Sequence, residues 1–499
     1  VQFDVPFSIP PGALAAPGFW QWLLIALCCV ASLYAVVAAA AMGASVWRRA
    51  AGRRTAAVKG RAARHAHDGI SVLKPLCGDE PRLYENLATF CEQQHARYQL
   101  LFGVSSPADP AIAVVRRLQA AYPALDIEVV VDSRVYGSNL KVSNLINLAQ
   151  RARHDLIVLA DSDIAVTPDY LDHVTAPLAD AHVGVVTCLY RARPLGSGWR
   201  LWPRLGAMFI DSWFAPSVRI AHAFGSREFG FGATLALRRT TLDRIGGFMA
   251  LKDCLADDFC LAEFARDIGL ATVLVPLMVK TDVVEASATS LWLRETRWLR
   301  TIRSVNPAGF AGLFITFTSP WLAVAALACA KLAASGMPPP GSARGIAFAT
   351  LAASTLAGIV ARIVVHAASV TDARTFWRDL LLVPVRDVLL ALEWLGAAFG
   401  STVVWRGARM AVANPGAAAA GAAAVGAGVG ASLTAPVRAA AVGSAGGPGG
   451  AAAGKMPRRS GAATSGASAG ARAAGGTGPA RMAESDRMRA SGLEVSDGR

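Results

Sequence analysis

DLIVLADSD, residues 155–163, decides the fold. Its apolar run 156–160 is too short for a core helix and suits a strand buried on both faces, and it ends directly in Asp161-Ser162-Asp163. Similar runs stand on either side: ISVL at 70–73, YQLLFGV at 98–104, IEVVV at 127–131 and VGVVTCL at 183–189. The stretches Pro81 to Gln93, Pro110 to Tyr122 and Lys141 to Arg151 carry helical periodicity between them. This alternation predicts an α/β fold with a parallel sheet, in one domain over residues 69–306. Ligands of such sheets bind beyond the carboxyl ends of the strands, where Asp161 and Asp163 fall.

Outside that domain the chain turns apolar. Residues 19–46 carry no charge and exceed the ~20 residues that cross a bilayer as a helix. Trp20 and Trp22 suit one interface, and Arg48, Arg49, Arg53, Arg54, Lys59, Arg61 and Arg64 follow at the other end. The run is long for a signal peptide and has no basic stretch before it, so it reads as a retained anchor. This predicts an extracytoplasmic segment 1–18, a basic cytoplasmic linker 47–68 and a cytoplasmic catalytic domain in a multi-pass protein of the inner (plasma) membrane. Residues 310–334 and 346–366 are expected to span. Residues 379–404, with Arg386, Asp387 and Glu393, either span or lie at the interface. The Ala/Gly-rich stretch 414–499 is expected to be disordered.

The totals agree with a membrane protein. Of 499 residues, 54% are hydrophobic, and mean hydropathy is +0.39, above the soluble norm. The formal charge of +14 is accounted for by arginine-rich flanks of spans, so no nucleic-acid partner is predicted. Eight scattered cysteines, with no C-x-x-C spacing, read as free thiols in a reducing compartment.

Two carboxylates at a strand end, Asp161 and Asp163, suit one hard divalent cation (Mg2+ or Mn2+) that neutralises a diphosphate, although D-x-D triplets also occur in ordinary loops. Downstream, Asp257-Asp258 opens a helix ended near Gly269. One aspartate serves the helix dipole, and the other is available as a general base. In LWLRETRWLRTIR, residues 291–303, Arg294, Arg297 and Trp298 share a helix face. Two guanidiniums there suit a diphosphate, while Arg300 and Arg303 suit anionic headgroups. Gly137-Ser138-Asn139-Leu140-Lys141 opens a helix where amides and Lys141 suit phosphate or nucleobase, or make an ordinary turn and cap. Gly230-Phe231-Gly232-Ala233 fits a close backbone approach to a ligand or a bulge. Asp109, before Pro110, suits a nucleotide contact or a helix cap.

Asp109 in ADPAI, Lys141 in LKVSNL, Asp161 in ADSD, Asp258 in ADDF and Arg294-x-x-Arg297-Trp298, in this order, resemble the ceramide glucosyltransferase family. Within it, SVLKPLCGDEPRLYENL (71–87), SNLKVSNL (138–145), GVVTCLYRARP (184–194) and RWLRTIR (297–303) are similar to bacterial glycosyltransferases associated with hopanoid biosynthesis. The resemblance runs from Ser71 to Phe310, and VVWRG at 403–407 also fits. It implies a GT-A fold, Rossmann-like, with membrane helices at both ends, an inverting mechanism, a UDP-sugar donor and a lipid alcohol acceptor. The hopanoid branch implies N-acetylglucosamine transfer from UDP-N-acetylglucosamine to bacteriohopanetetrol. Glucose transfer from UDP-glucose to ceramide is the alternative. By the same resemblance Asp109, Lys141 and Asp161 would bind the nucleotide sugar, Asp161 and Asp163 the metal, and Asp258 would be the base. Arg294, Arg297 and Trp298 would serve the product phosphates and acceptor. Eukaryotic members place a small residue where Asp163 stands. A processive polysaccharide synthase would need more spans than are countable here, and a catalytically silent scaffold would not need the acidic set.

Overall fold

The computed structural model describes residues 18–50, 68–196, 200–400, 402–405 and 408–411. Of the expected segments, nearly all of 1–18 and 47–68 and the whole of 414–499 lie outside the described residues or their described side chains.

Eight strands form one sheet: β1 (Ile70–Pro75), β2 (Tyr98–Val104), β3 (Asp126–Val131), β4 (Leu156–Leu159), β5 (Ile164–Ala165), β6 (Val183–Pro194), β7 (Leu235–Arg238) and β8 (Ala271–Val283). Their spatial order is β3-β2-β1-β4-β7-β6-β8-β5. Strands β1 to β4 pair in parallel, with Val72 opposite both Leu100 and Val158. The parallel sheet expected from the sequence is mixed: β7 runs antiparallel to both β4 and β6, and β5 antiparallel to β8. The reason for β7 is the path of the chain. It leaves β6 at the carboxyl edge, builds α5 (Leu201–Phe209) and α6 (Ala215–Ala223) there, and re-enters the sheet from that same edge, hence in the opposite direction.

Alternation along β1 divides the core into two layers. Ile70 and Val72 pack with α2 (Leu83–Cys91) and α3 (Ala111–Ala121) through Leu87, Phe90, Val115 and Leu118. Leu73 faces α4 (Leu140–Ala149) and α7 (Asp257–Asp267) through Val142, Leu145 and Leu261. Both cores are closely packed, and the polar side chains buried with them are bonded to neighbours, Ser71 to Gln99 and Tyr170 to Thr234, so the carboxyl edge of the sheet is held rigid beneath the cleft.

A third core gathers α5, α8 (Ala288–Val305) and the terminal helices around Phe209, Trp213, Leu299 and Leu390. Among the described residues two helices are long and apolar enough to cross a membrane: α1 (Phe19–Ala50) over Phe19–Ala44, and α10 (Ala343–Ser369). The expected segment 310–334 is bent by 48° between Pro307–Thr316 and α9 (Thr318–Ala334), and makes a third span if the pair counts as one. Pro320 sits in the first turn of α9, where its missing N–H breaks no helical bond. Residues 379–404 are likewise divided. Helix α11 (Ala373–Leu380) gives way to α12 (Leu382–Ala398), and Gly400, at φ +91°, turns the chain into the strand Thr402–Trp405.

Candidate active site

A cleft of about 1430 Å³ opens at the carboxyl edge of the sheet, and Lys141, Asp161, Asp163, Asp258, Arg294, Arg297 and Trp298 all line it. Seven of the eight residues singled out in the sequence therefore converge. They arrive from four places in the chain, Lys141 on α4, Asp161 and Asp163 after β4, Asp258 on α7, and Arg294, Arg297 and Trp298 on α8, so the convergence belongs to the fold.

Asp161 follows β4 and accepts an ion pair from Lys141, Nζ to Oδ1 at 2.8 Å. Lys141 lies in the first turn of α4, which Asn139 caps by accepting from Val142 N–H. The Asn139 amide also donates to the Cys254 carbonyl at 2.9 Å and to Asp257 Oδ1 at 3.3 Å, tying α4 to the start of α7. Burial works against the Lys141 charge, but Asp161, Asp257 and Asp258 outweigh it and hold the ammonium above its ordinary range.

The two aspartates at the start of α7 have different partners. Asp257 pairs with Lys141 at 3.5 Å. Asp258 turns into the cleft, where Oδ2 accepts from Gly232 N–H at 2.7 Å and Oδ1 from Phe259 N–H at 2.9 Å. Burial, then the Asp257 charge, pushes its carboxyl up to about 6, against Lys141 and the two backbone donors. The glycines of 230–233 serve this contact. A β-carbon at 230 would meet the Asp258 carbonyl oxygen at 2.3 Å, so here a side chain cannot replace hydrogen.

Beneath the D-x-D turn lies a residue that the sequence reading did not single out. Lys74 is fully buried, donates from Nζ to the Asp161 carbonyl at 2.7 Å and lies 3.5 Å from the centre of the Phe90 ring. Burial lowers its pKa to about 7. Asp163 is pushed up to about 7 by burial, then by Asp161 and Glu80, against the Thr281 hydroxyl that it accepts at 3.1 Å. Among the described residues no cluster of three or more His, Cys, Asp or Glu side chains is arranged to hold a metal. Two adjacent carboxylates whose repulsion raises the pKa of one still fit a hard divalent cation that takes its remaining ligands from diphosphate and water.

Arg294 is already engaged: Nη1 lies 2.5 Å from Glu285 Oε1, Nη2 lies 3.2 Å from Glu295 Oε1, and the guanidinium stands 5.0 Å from the Trp298 ring. Arg297 lies within the fields of Asp161 and Asp258; burial and Arg294 lower its pKa. Trp298 joins an aromatic wall, 5.6 Å from Phe209, which is 4.8 Å from Trp213. Also lining the cleft, Tyr190 stacks on Phe214 at 5.2 Å, and Phe214 meets Phe231 edge-on at 5.3 Å. A π-helical turn, Ile210–Phe214, connects α5 to α6, and Ser217 of α6 bonds Tyr34 of α1 at 2.8 Å. The wall thus leads from the carboxylates toward a candidate membrane helix.

Two of the groups singled out in the sequence are engaged elsewhere. Asp109 does not line the cleft; its carboxylate accepts from Gly78 N–H, 3.1 Å to either oxygen, and from Ala111 N–H at 2.9 Å. Its place before Pro110 leaves it facing the first amide of α3, the capping alternative, and through Gly78 it also fastens the Cys77–Glu80 loop. The loop Asp132 to Val135 lines the cleft there, with Arg134 Nη2 2.6 Å from Asp132 Oδ2, and the only sequence signal for it was its position after β3. Arg300 and Arg303 are engaged within the protein. They donate to backbone carbonyls at the end of α12 and beyond, Arg303 to Ala397 at 2.7 Å and Arg300 to Thr402 at 3.1 Å.

This sheet order, with a carboxylate-lined cleft at its carboxyl edge, defines the GT-A class of nucleotide-diphospho-sugar transferase folds. The chain belongs to glycosyl transferase family 21, which it matches over residues 27–418. It is 26% identical over 236 residues to ceramide glucosyltransferase 1 of Caenorhabditis elegans, covering 46% of this chain and 49% of that protein. Over 117 residues it is 28% identical to the ceramide glucosyltransferase of Candida albicans, 21% of this chain and 22% of that one. The chain thus spans about half the length of the first of these relatives, and less of the second. Among solved structures it is similar to a mannosyltransferase from Pyrobaculum calidifontis in complex with GDP-mannose and Mn2+, at 20% identity and a TM-score of 0.38, covering 74% of this chain and 97% of that one. Glucosyl-3-phosphoglycerate synthase of Mycobacterium tuberculosis, with Mn2+ and UDP, is 16% identical with a TM-score of 0.30, covering 48% and 82%.

Proposed function

We propose that the protein is an inverting hexosyltransferase that moves a sugar from a UDP-sugar to the hydroxyl of a membrane lipid. One observation carries this reading: Asp161, Lys141, Asp258 and Arg297 meet in a single cleft whose far wall is aromatic and leads to α1. A charged end for a diphosphate and an apolar end for a lipid body are what such a reaction requires.

In this mechanism Asp258 accepts the proton of the acceptor hydroxyl while its oxygen bonds to the anomeric carbon and the bond from that carbon to the diphosphate breaks. UDP leaves with the bonding electrons, and the proton passes from Asp258 to solvent. The two backbone donors fix the carboxylate, and a pKa near 6 leaves it ionised at neutral pH yet basic enough to act. Lys141 and Arg297 supply positive charge on the donor side. A divalent cation held by Asp161 and Asp163 would neutralise the departing diphosphate. Asp109 acts at one remove, through the loop it fastens.

For the substrates, the names of the relatives support a glucosyl group and a ceramide acceptor, for which UDP-glucose would be the donor. The likeness of residues 138–145 and 184–194 to hopanoid-associated enzymes supports N-acetylglucosamine and bacteriohopanetetrol instead. Arginine-rich residues after α1 support a cytoplasmic catalytic domain at the inner membrane.

The test is transfer by the purified protein, with UDP-glucose or UDP-N-acetylglucosamine offered with ceramide or hopanoid polyol, and the products weighed by mass spectrometry. One added sugar on one lipid supports the reading. A polymer points to a processive synthase, and no product with no release of UDP points to a silent scaffold.

A further inference from the structure

Helix α12 is inside out. Arg386 and Glu393 face the protein interior and are fully buried, while Leu381, Val385, Val388, Leu392, Leu395 and Phe399 recur every three or four residues on the exposed side. An apolar outer stripe suits hydrocarbon, and it leaves the charges only the interior to face.

There they meet the arginine helix of the active site. Arg386 Nη2 lies 2.7 Å from Glu295 Oε2 and also pairs with Glu393; Glu295 Oε1 in turn holds Arg294, which Glu285 holds from the other side. The result is an unbroken ladder, Glu285–Arg294–Glu295–Arg386–Glu393, running from the cleft to α12. We propose that Arg386 is a positioning residue for Arg294: by drawing the Glu295 carboxylate toward α12, it limits how strongly Glu295 withdraws Arg294 from the diphosphate site. The inference rests on the UDP-sugar reading above.

Stability does not account for the ladder. Replacing a buried ion network with apolar side chains of similar volume is often neutral or stabilising. Nε and Nη1 of Arg386 also make no hydrogen bond among the described residues, a further cost in a buried site. Arg386 holds its charge between Glu295 and Glu393, and its guanidinium stands 5.5 Å from the ring of Phe209, whose centre is 5.6 Å from that of Trp298. The sign of its effect follows. Without Arg386, Glu295 keeps Arg294 as its one cationic partner in the ladder, and Arg294 is held back from the phosphates.

The test is UDP binding by calorimetry on the full-length protein, with melting temperature measured alongside. In Arg386→Met/Glu393→Leu, which fills the site with apolar groups, UDP is expected to bind about tenfold more weakly at an unchanged or higher melting temperature. Arg386→Lys, which keeps the charge, stays within about threefold of wild type. A folded double variant that binds UDP as wild type does overturns the proposal, because a merely structural ladder would move only the melting temperature. Should the double variant not fold, Arg386→Gln carries the test, with about threefold weakening expected and unchanged affinity overturning it. Wild type that binds no UDP sinks the donor reading and this one together; wild type that binds it beside an indifferent Arg386 variant sinks this one alone.

Discussion

The backbone N–H of Gly232 donates to Asp258 Oδ2 at 2.7 Å, and around this contact the charged groups of the cleft close in. A β-carbon at 232 would lie 3.3 Å from Asp161 Oδ2, 3.3 Å from Lys141 Nζ and 3.4 Å from Asp258 Oδ2. The segment that leads into the antiparallel strand β7 therefore sets the spacing between the donor-side carboxylate and the proposed base.

Gly232→Ala should lower kcat/KM by about 10- to 100-fold, since shifts of well under 1 Å among reacting groups cost rates of that order. Its melting temperature should stay close to wild type, because 3.3–3.4 Å is tight but does not overlap backbone. Circular dichroism melts beside transfer assays check this, and full activity would mean that Gly232 does not set the spacing of these groups.

Asp258→Asn should reduce kcat by about 10²–10⁴ while the Kd for the UDP-sugar stays within threefold, because the substitution takes away a proton acceptor and leaves the donor contacts in place. Loss of donor binding in this variant would assign Asp258 to the donor side instead.

The pH profile of kcat/KM, which reports the free enzyme, should rise along an acid limb near pH 6. The Asp258 carboxyl sits above its ordinary value, so it is protonated and idle below about 6 and ionised above. Asp257→Asn removes the neighbouring negative charge that helps to raise it, so the limb should move to lower pH. An unmoved limb would mean that another group controls it.

Asp161→Asn should weaken UDP-sugar affinity and divalent-cation affinity together. Both are expected to converge on its carboxylate, which also anchors Lys141 at 2.8 Å. Titration of Mg2+ or Mn2+ with and without UDP reads the coupling, and unaltered cation dependence would refute the metal assignment.

Asp211→Asn should stabilise the protein at alkaline pH. Burial raises the Asp211 carboxyl to about 7, above the unfolded value near 3.8, despite the Ala192 N–H that it accepts at 3.1 Å. Between these values the native state binds the extra proton, so stability falls as pH rises through that window. Asparagine keeps an acceptor and has no proton to lose, so Tm at pH 8 should rise by about 3–5 °C and the slope should flatten. A variant melting with the wild-type pH dependence would clear Asp211 of that role.

The sequence by itself determined whatever is written locally. An apolar strand ending in Asp161 and Asp163, a helix opening at Asp258, an arginine face at 294 to 298 and an uncharged stretch at 19 to 46 are each legible from a few neighbouring residues, since periodicity and capping act over one or two turns. Only the tertiary structure decided the antiparallel course of β7, the division of labour between Asp257 and Asp258, the turning of Asp109 to its own amides, the place of Lys74 beneath the D-x-D turn and the pairing of Arg386 with Glu295. Most of these depend on groups that lie far apart along the chain, and even Asp257 and Asp258, neighbours in sequence, are told apart by what comes to meet them, Lys141 and Gly232. Whether a charged side chain faces solvent, a ligand or another charge depends on which distant segment packs against it, and no local pattern of residues records that choice.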